Sequence, residues 1–105
     1  MVREQRAADG LAALGNRTRL RLYRLLVRAG DDGLNVGDLQ RLLKVPPSTL
    51  AHHLATLARA GLVRQERRGR EVISRADYPA MRALVGYLTE QCCTGVRLEG
   101  DDQAA

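Results

Sequence analysis

Apolar residues recur at helical spacing along the first half of the chain, and the period then changes. Over residues 5–14, Ala8, Leu11, Ala12 and Leu14 form a short amphipathic stripe, which predicts a first helix. Asn16 suits the N-cap of a second. There Leu20, Tyr23, Leu26 and Val27 share a face, while Arg17, Arg21, Arg24 and Arg28 fall elsewhere. Gly30-Asp31-Asp32-Gly33 ends it as a turn. Asn35 is placed to cap a third, short helix, and Asp38 three residues on imitates a capping box. Leu39, Leu42 and Leu43 give this helix its buried stripe. Lys44-Val45-Pro46-Pro47 interrupts the pattern. Proline is tolerated at the first helical position, so a new helix begins around Pro47. It carries Leu50, Leu54 and Leu57 on one face, and Gly61 is placed to end it.

Two short β-prone runs follow, residues 62–67 and 71–74, around Arg68-Gly69-Arg70, and predict a hairpin. Asp77 then caps a last helix with Pro79 in its first turn. Met81, Leu84, Val85, Leu88 and Cys92 are expected on one face of it. Residues 1–96 read as one domain and 97–105 as a disordered acidic tail. The fold class is mainly α with a small β-hairpin. Two short helices joined by a tight turn, then a basic hairpin, describe a winged helix-turn-helix.

Charge changes the picture from fold to partner. The 105 residues carry 17 basic and 12 acidic side chains, a net +5. Without Glu99, Asp101 and Asp102, 17 basic residues face nine acids, a net +8. A compact basic body suits a polyanion, although arginine abundance alone fits a solvated surface equally well. There are three Tyr and no Trp or Phe, an aliphatic composition that favours helices. A chain this short buries a limited core, so dimerisation would add to its stability. No apolar run approaches the ~20 residues of a membrane span, and Met1 to Asp9 is charged and lacks a signal-peptide core. The expected compartment is the cytoplasm, with thiols reduced and no membrane partner.

Residues 36–63, VGDLQRLLKVPPSTLAHHLATLARAGLV, carry the function. In such a unit a first helix braces a second, whose polar face enters the major groove while its leucines pack on the domain. Ser48, Thr49, His52, Thr56 and Arg59 are the candidate contacts, with hydroxyls, an imidazole and a guanidinium for base edges and phosphates. His53, beside Leu54 and Leu57, reads as structural. Adjacent histidines on a helix point about 100° apart, so the pair makes a poor metal site. In the hairpin, Arg67, Arg68 and Arg70 can hold flanking phosphates or enter a narrow minor groove. The bland alternative is a solvated charged loop.

Ser48-Thr49-Leu50-Ala51-His52-His53-Leu54, then Leu57 and Ala60-Gly61-Leu62-Val63, resemble the recognition-helix signature of the ArsR family of regulators. Leu14-Gly15-Asn16-Arg17-Thr18-Arg19-Leu20-Arg21-Leu22 resembles the start of that family's second helix. The resemblance spans roughly residues 8–93. It implies a homodimer that binds an imperfect palindrome in double-stranded operator DNA and releases it when a ligand binds. The chain departs from the family at Pro46 and Pro47, where a polar cap and a Gln are common, and at Ala51, where Ser is common. Base preference therefore does not carry over.

Cys92 and Cys93 are the only cysteines, and neighbours in sequence make a strained ring rather than a structural disulfide. Soft thiolates select thiophilic ions. Glu90-Gln91-Cys92-Cys93 resembles the C-terminal cysteine pair of arsenic-responsive members, which implies As(III), Sb(III) or an organoarsenical as inducer. Those members usually add a third cysteine, which is missing here; a partner subunit or a small thiol could supply it. The family's Cys-x-Cys site would fall on Asn35 and Gly37, and its zinc ligands on the last helix are missing too. Two alternatives stay open for the pair: small apolar interface residues, or thiols oxidised between subunits as a redox sensor. No cofactor is required and no catalytic constellation is present. The other class of function is a winged-helix module that binds protein instead of DNA.

Overall fold

The computed structural model describes residues 2–98. Side-chain caps start three of its helices. The Arg19 amide donates to Asn16 Oδ1 at 3.0 Å and opens α2, Arg17–Ala29. The Asp38 amide donates to Asn35 Oδ1 at 2.8 Å and opens α3, Val36–Leu43. The Ala80 amide donates to Asp77 Oδ1 at 3.0 Å and opens α5, Tyr78–Thr89. Each bond satisfies an amide that the helix itself leaves without an acceptor. The capping box at Asn35 is half made, because the Asp38 carboxylate turns to Arg41 instead. Pro47 occupies the first turn of α4, Pro47–Arg59, as expected. The first helix, α1, runs over Val2–Leu14, earlier than the stripe predicted.

The hairpin forms from β2, Val63–Arg68, and β3, Glu71–Ala76, paired from Val63↔Ala76 to Arg68↔Glu71. Gly69 opens the two-residue turn at φ +60°, where a type II′ turn requires glycine. A third strand, β1, was not foreseen: Leu34–Asn35 adds antiparallel to β3, giving the order β1-β3-β2. Two residues are too short to show a period. The signal was Gly33, at φ +67°, where a Cβ would sit 2.6 Å from the Ser74 carbonyl oxygen. Only glycine lets the chain cross β3 that closely.

The core is leucine. Leu22, Leu26, Leu39, Leu50 and Leu57 are fully buried between α2, α3, α4 and the sheet, with Val63 and Ala76 closing the sheet side. Tyr78 clasps the start of α5 to the end of α2, its hydroxyl directed at the carbonyls of Val27 (3.0 Å) and Leu26 (3.2 Å).

Several expected core positions lie outside it. On α2 Leu22 is buried and Leu20 is exposed; on α3 Leu39 and Leu43 are buried and Leu42 is exposed. On α1 the inward residues are Ala7, Gly10 and Ala13, whereas Ala8, Leu11 and Ala12 face out. The small residues bring α1 close to α5: a Cβ on Gly10 would lie 3.4 Å from Leu84 Cδ2. Arg3 at the other end of α1 pairs with Glu90 at 2.7 Å, so the two helices run antiparallel. Val85 and Leu88 of α5 are 56% and 58% exposed. Arg97 and Leu98 carry no regular structure, and the rest of the expected acidic tail lies outside the described residues. Among the described residues no helix is long and apolar enough to cross a membrane.

Candidate nucleic-acid interface

α4 is braced by a tight turn. Lys44 adopts the left-handed conformation (φ 58°, ψ 44°) and donates its amide to the Gln40 carbonyl at 2.8 Å, which ends α3. Val45 and Pro46 then lead into α4. Leu50, His53, Leu54 and Leu57 face the core. The helical repeat puts Ser48, Thr49, His52, Thr56 and Arg59 within about 100° of one another on the opposite side. Ser48, His52 and Arg59 are exposed; Thr49 and Thr56 are half-buried at its edge. Arg59 Nη2 donates to Thr56 Oγ1 at 3.4 Å. All five predicted contacts thus share one polar face, and the helix has no acidic residue on it.

His53 is buried, as the sequence implied. Its Nδ1 lies 3.4 Å from Arg19 Nη1, and Arg19 Nε donates to the Ala13 carbonyl at 2.6 Å. This chain of contacts ties α4 to α2 and to the end of α1. Burial, then the Arg19 guanidinium, then His52 push the imidazole pKa below its ordinary value, which favours its neutral form. The His52 and His53 rings are 5.9 Å apart and tilted by 51°, which does not converge them on an ion.

In the hairpin, Arg67, Arg68 and Arg70 are all exposed. They are not equivalent. Arg68 Nε is 3.8 Å from Glu66, whereas among the described residues Arg67 and Arg70 have no carboxylate partner. Glu66 is held below the usual carboxylate range by its hydrogen bond from Arg75 and the charge of Arg68. Arg75 is structural: it reaches Glu66 at 2.6 Å and the Asp31 carbonyl at 3.0 Å. It is therefore not free to meet a phosphate. A residue the sequence reading passed over is Arg41, which lines with Arg70 a 370 Å³ groove between the start of α3 and the hairpin. The signal was its place on the polar face of α3, opposite Leu39 and Leu43.

The cysteines correct one expectation. α5 stops at Thr89, so Cys92 is not on its face. Cys92 and Cys93 sit in the following turn, both exposed, with Gln91 and Cys93 at φ +62° and +64°. Their sulfurs are 3.1 Å apart. The hydrogen bond with Cys93, then partial desolvation, raises the Cys92 thiol pKa. Among the described residues no group of three His, Cys, Asp or Glu is arranged to hold a metal ion.

Comparison with known proteins agrees with this geometry. The helix-turn-helix domain family matches residues 14–66. The transcriptional activator HlyU of Vibrio cholerae serotype O1 is 31% identical over 83 residues, 79% of this chain and 74% of the relative. Its structure superposes with a TM-score of 0.69 over 86% of this chain and 95% of the other. An ArsR-like transcriptional regulator from Rhodococcus sp. RHA1 is 27% identical with a TM-score of 0.74, covering 84% of this chain and 80% of that one. The AntR antimony-specific transcriptional repressor is 33% identical with a TM-score of 0.59, covering 74% and 69%.

Proposed function

We propose, from the premise that the chain belongs to the ArsR-type winged helix-turn-helix family of transcription regulators, that it is a homodimeric repressor released from operator DNA by a trivalent arsenical or antimonial. As a member of that family it is a DNA-binding regulator and not an enzyme. The observation that carries the DNA reading is the two-faced α4: leucine on the core side, and Ser48, Thr49, His52, Thr56 and Arg59 together on the other. Arg67 and Arg70, with Arg68 partly drawn to Glu66, would hold the flanking backbone. The Vibrio relative is titled an activator and AntR a repressor. Release by ligand is the second sense: occupancy at the end of α5 would weaken DNA binding instead of creating it.

Dimerisation is supported by α1 and α5. Leu11, Val85 and Leu88 are large, apolar and exposed on one side of the antiparallel pair. A second copy would bury them, and a ligand beside α5 would then alter the spacing of the two α4 helices. Half-sites in such complexes lie about 34–36 Å apart, so a small rotation weakens both contacts at once.

The inducer site is Cys92–Cys93. Two sulfurs 3.1 Å apart are within reach of one thiophilic atom. A monosubstituted arsenical carrying two hydroxyls would condense with the two thiols, each As–O bond giving way to an As–S bond and each hydroxyl leaving as water with the thiol's proton; As(III) or Sb(III) as the hydroxide needs a third sulfur from the partner subunit or a small thiol. The protein needs no resident cofactor, and it works in the reducing cytoplasm, where the thiols stay available.

The test is fluorescence anisotropy of DNA from the protein's own upstream region, in reductant, with antimonite, arsenite or methylarsenite added to the complex. Release that is lost in Cys92→Ser and Cys93→Ser is expected. Binding without release, but with release by peroxide, transfers the pair to redox sensing. No DNA binding at any salt concentration puts a protein partner first.

A further inference from the structure

α1, the C-terminal end of α4 and α5 enclose a groove of about 520 Å³. That is the size of a small-molecule site. Its floor is apolar: Leu62 and Leu84, with Gly10 between them, where a Cβ would lie 3.4 Å from Leu84 and 3.7 Å from Leu62. Its rim is cationic. Arg6 from α1 and Arg59 from α4 both line it, and among the described residues neither is paired with a carboxylate. Arg3 closes one end, neutralised by Glu90 and stacked over the Tyr87 ring at 5.2 Å. Asp9 also borders the groove, and its carboxylate accepts from Gln5 Nε2 at 3.0 Å.

We propose that this groove binds an organic anion, one carboxylate or sulfonate head on an apolar ring or short alkyl body. Two unneutralised guanidinium groups facing one opening repel each other until an anion joins them, and a planar guanidinium grips such a head with two hydrogen bonds. The floor takes the body and removes it from water. Among the described residues no group of three His, Cys, Asp or Glu stands here to hold a metal ion.

The groove is separate from the cysteine turn and from the face assigned to a second copy. Arg6 and Gly10 on α1, and Ala83 and Tyr87 on α5, line the groove. Leu11, Val85 and Leu88 are turned about 100° or more from them round each helix. Because the helices run antiparallel, that rotation carries both apolar sets to the same, opposite side. Arg59 belongs to α4, so an anion in the groove touches the helix assigned to DNA.

The test needs no DNA. Anilinonaphthalene sulfonate is titrated into the full chain by fluorescence, beside phenylnaphthylamine, the same rings without the charge. The sulfonate is expected to saturate at one per chain and to bind about tenfold tighter than the neutral compound, the scale of one charge-assisted hydrogen bond. Arg6→Gln should remove that advantage and leave the neutral compound unchanged. Ala83→Trp should fill the groove and block both. Both positions are exposed, so the fold is retained, and circular dichroism checks it. Equal affinity for the two probes overturns the proposal. So does binding that survives Arg6→Gln and Ala83→Trp but is lost in Leu88→Ser, which would place the probe on the other side of the helix pair.

Discussion

α4 and the α1–α5 pair are built from the same aliphatic alphabet and end up opposite in character. On α4 each leucine is buried: Leu50, Leu54 and Leu57 are at most 3% exposed. On α1 and α5 three large apolar residues, Leu11, Val85 and Leu88, are left out, while Ala7, Gly10 and Ala13 face inward and Leu14, Met81 and Leu84 are half-buried. A helix whose apolar stripe is covered by its own chain has a finished surface. A helix pair that buries alanine and glycine and displays Leu11, Val85 and Leu88 has a surface that a second copy would complete.

The strongest way to sharpen this contrast is Leu57→Ala. Leu57 is fully buried, so the substitution removes methyl groups and leaves a cavity. Unfolding by urea should lose about 3 kcal/mol at any protein concentration. A loss that shrank as protein concentration rose would mean that Leu57 too depends on a second copy.

Leu88→Ser probes the other region and should behave in the opposite manner. Sedimentation equilibrium should show the dimer weakened by about 2 kcal/mol, roughly thirtyfold, because a two-fold interface feels each substitution twice. The unfolding of dilute monomer should hardly change, since Leu88 is 58% exposed there. An unchanged dimer would remove the α1–α5 face from the interface.

The same contrast explains which features were legible in the sequence. The two-faced α4, its start at Pro47, the caps at Asn16, Asn35 and Asp77, and the hairpin turn at Gly69 all follow from local rules: helical period, orphan amides, a glycine turn. Failures cluster where a stripe does not meet its own chain. Leu11, Leu20, Leu42, Val85 and Leu88 fit the helical period as well as the leucines of α4 do, and period alone cannot say what covers them. The end of α5 was misjudged for another reason. Cys92 falls at helical spacing from Leu88, but Gln91 and Cys93 take positive φ and the helix has already closed at Thr89. The division of labour among the arginines needed coordinates, because Arg75 is drawn inward by Asp31 and Glu66 from distant segments.

The hairpin arginines allow a test with a smaller effect. Arg67→Ala with Arg70→Ala removes two guanidiniums without carboxylate partners among the described residues and disturbs no core contact. Operator affinity should fall about tenfold, and the slope of log affinity against log salt should flatten by about two. Stability and dimerisation should be unaltered. Affinity that falls only at one sequence, with the salt slope intact, would mean that these side chains read bases instead of phosphates.

The smallest effect is expected from pH, and it separates the two faces of α4 within two adjacent residues. His53 is buried against Arg19, with His52 beside it, and its imidazole pKa sits below the ordinary 6.5 for the reasons of burial and neighbouring charge. As pH falls, the unfolded chain therefore takes up this proton before the folded chain does. The resulting stability is complete above 6.5 and is lost as pH drops through the folded value. Glu66, also depressed, acts in a lower window, beneath its ordinary 4.5. Urea midpoints compared at about pH 7 and about pH 5 thus isolate the histidine. The midpoint should fall across that range in the native chain and fall less in His53→Gln. The exposed neighbour supplies only the smallest of the three causes of that shift, so His52→Gln should flatten the curve less than His53→Gln does. If both variants flatten the curve equally, the charge of His52 and not burial governs His53, and the division of α4 into a core face and a free face fails at its centre.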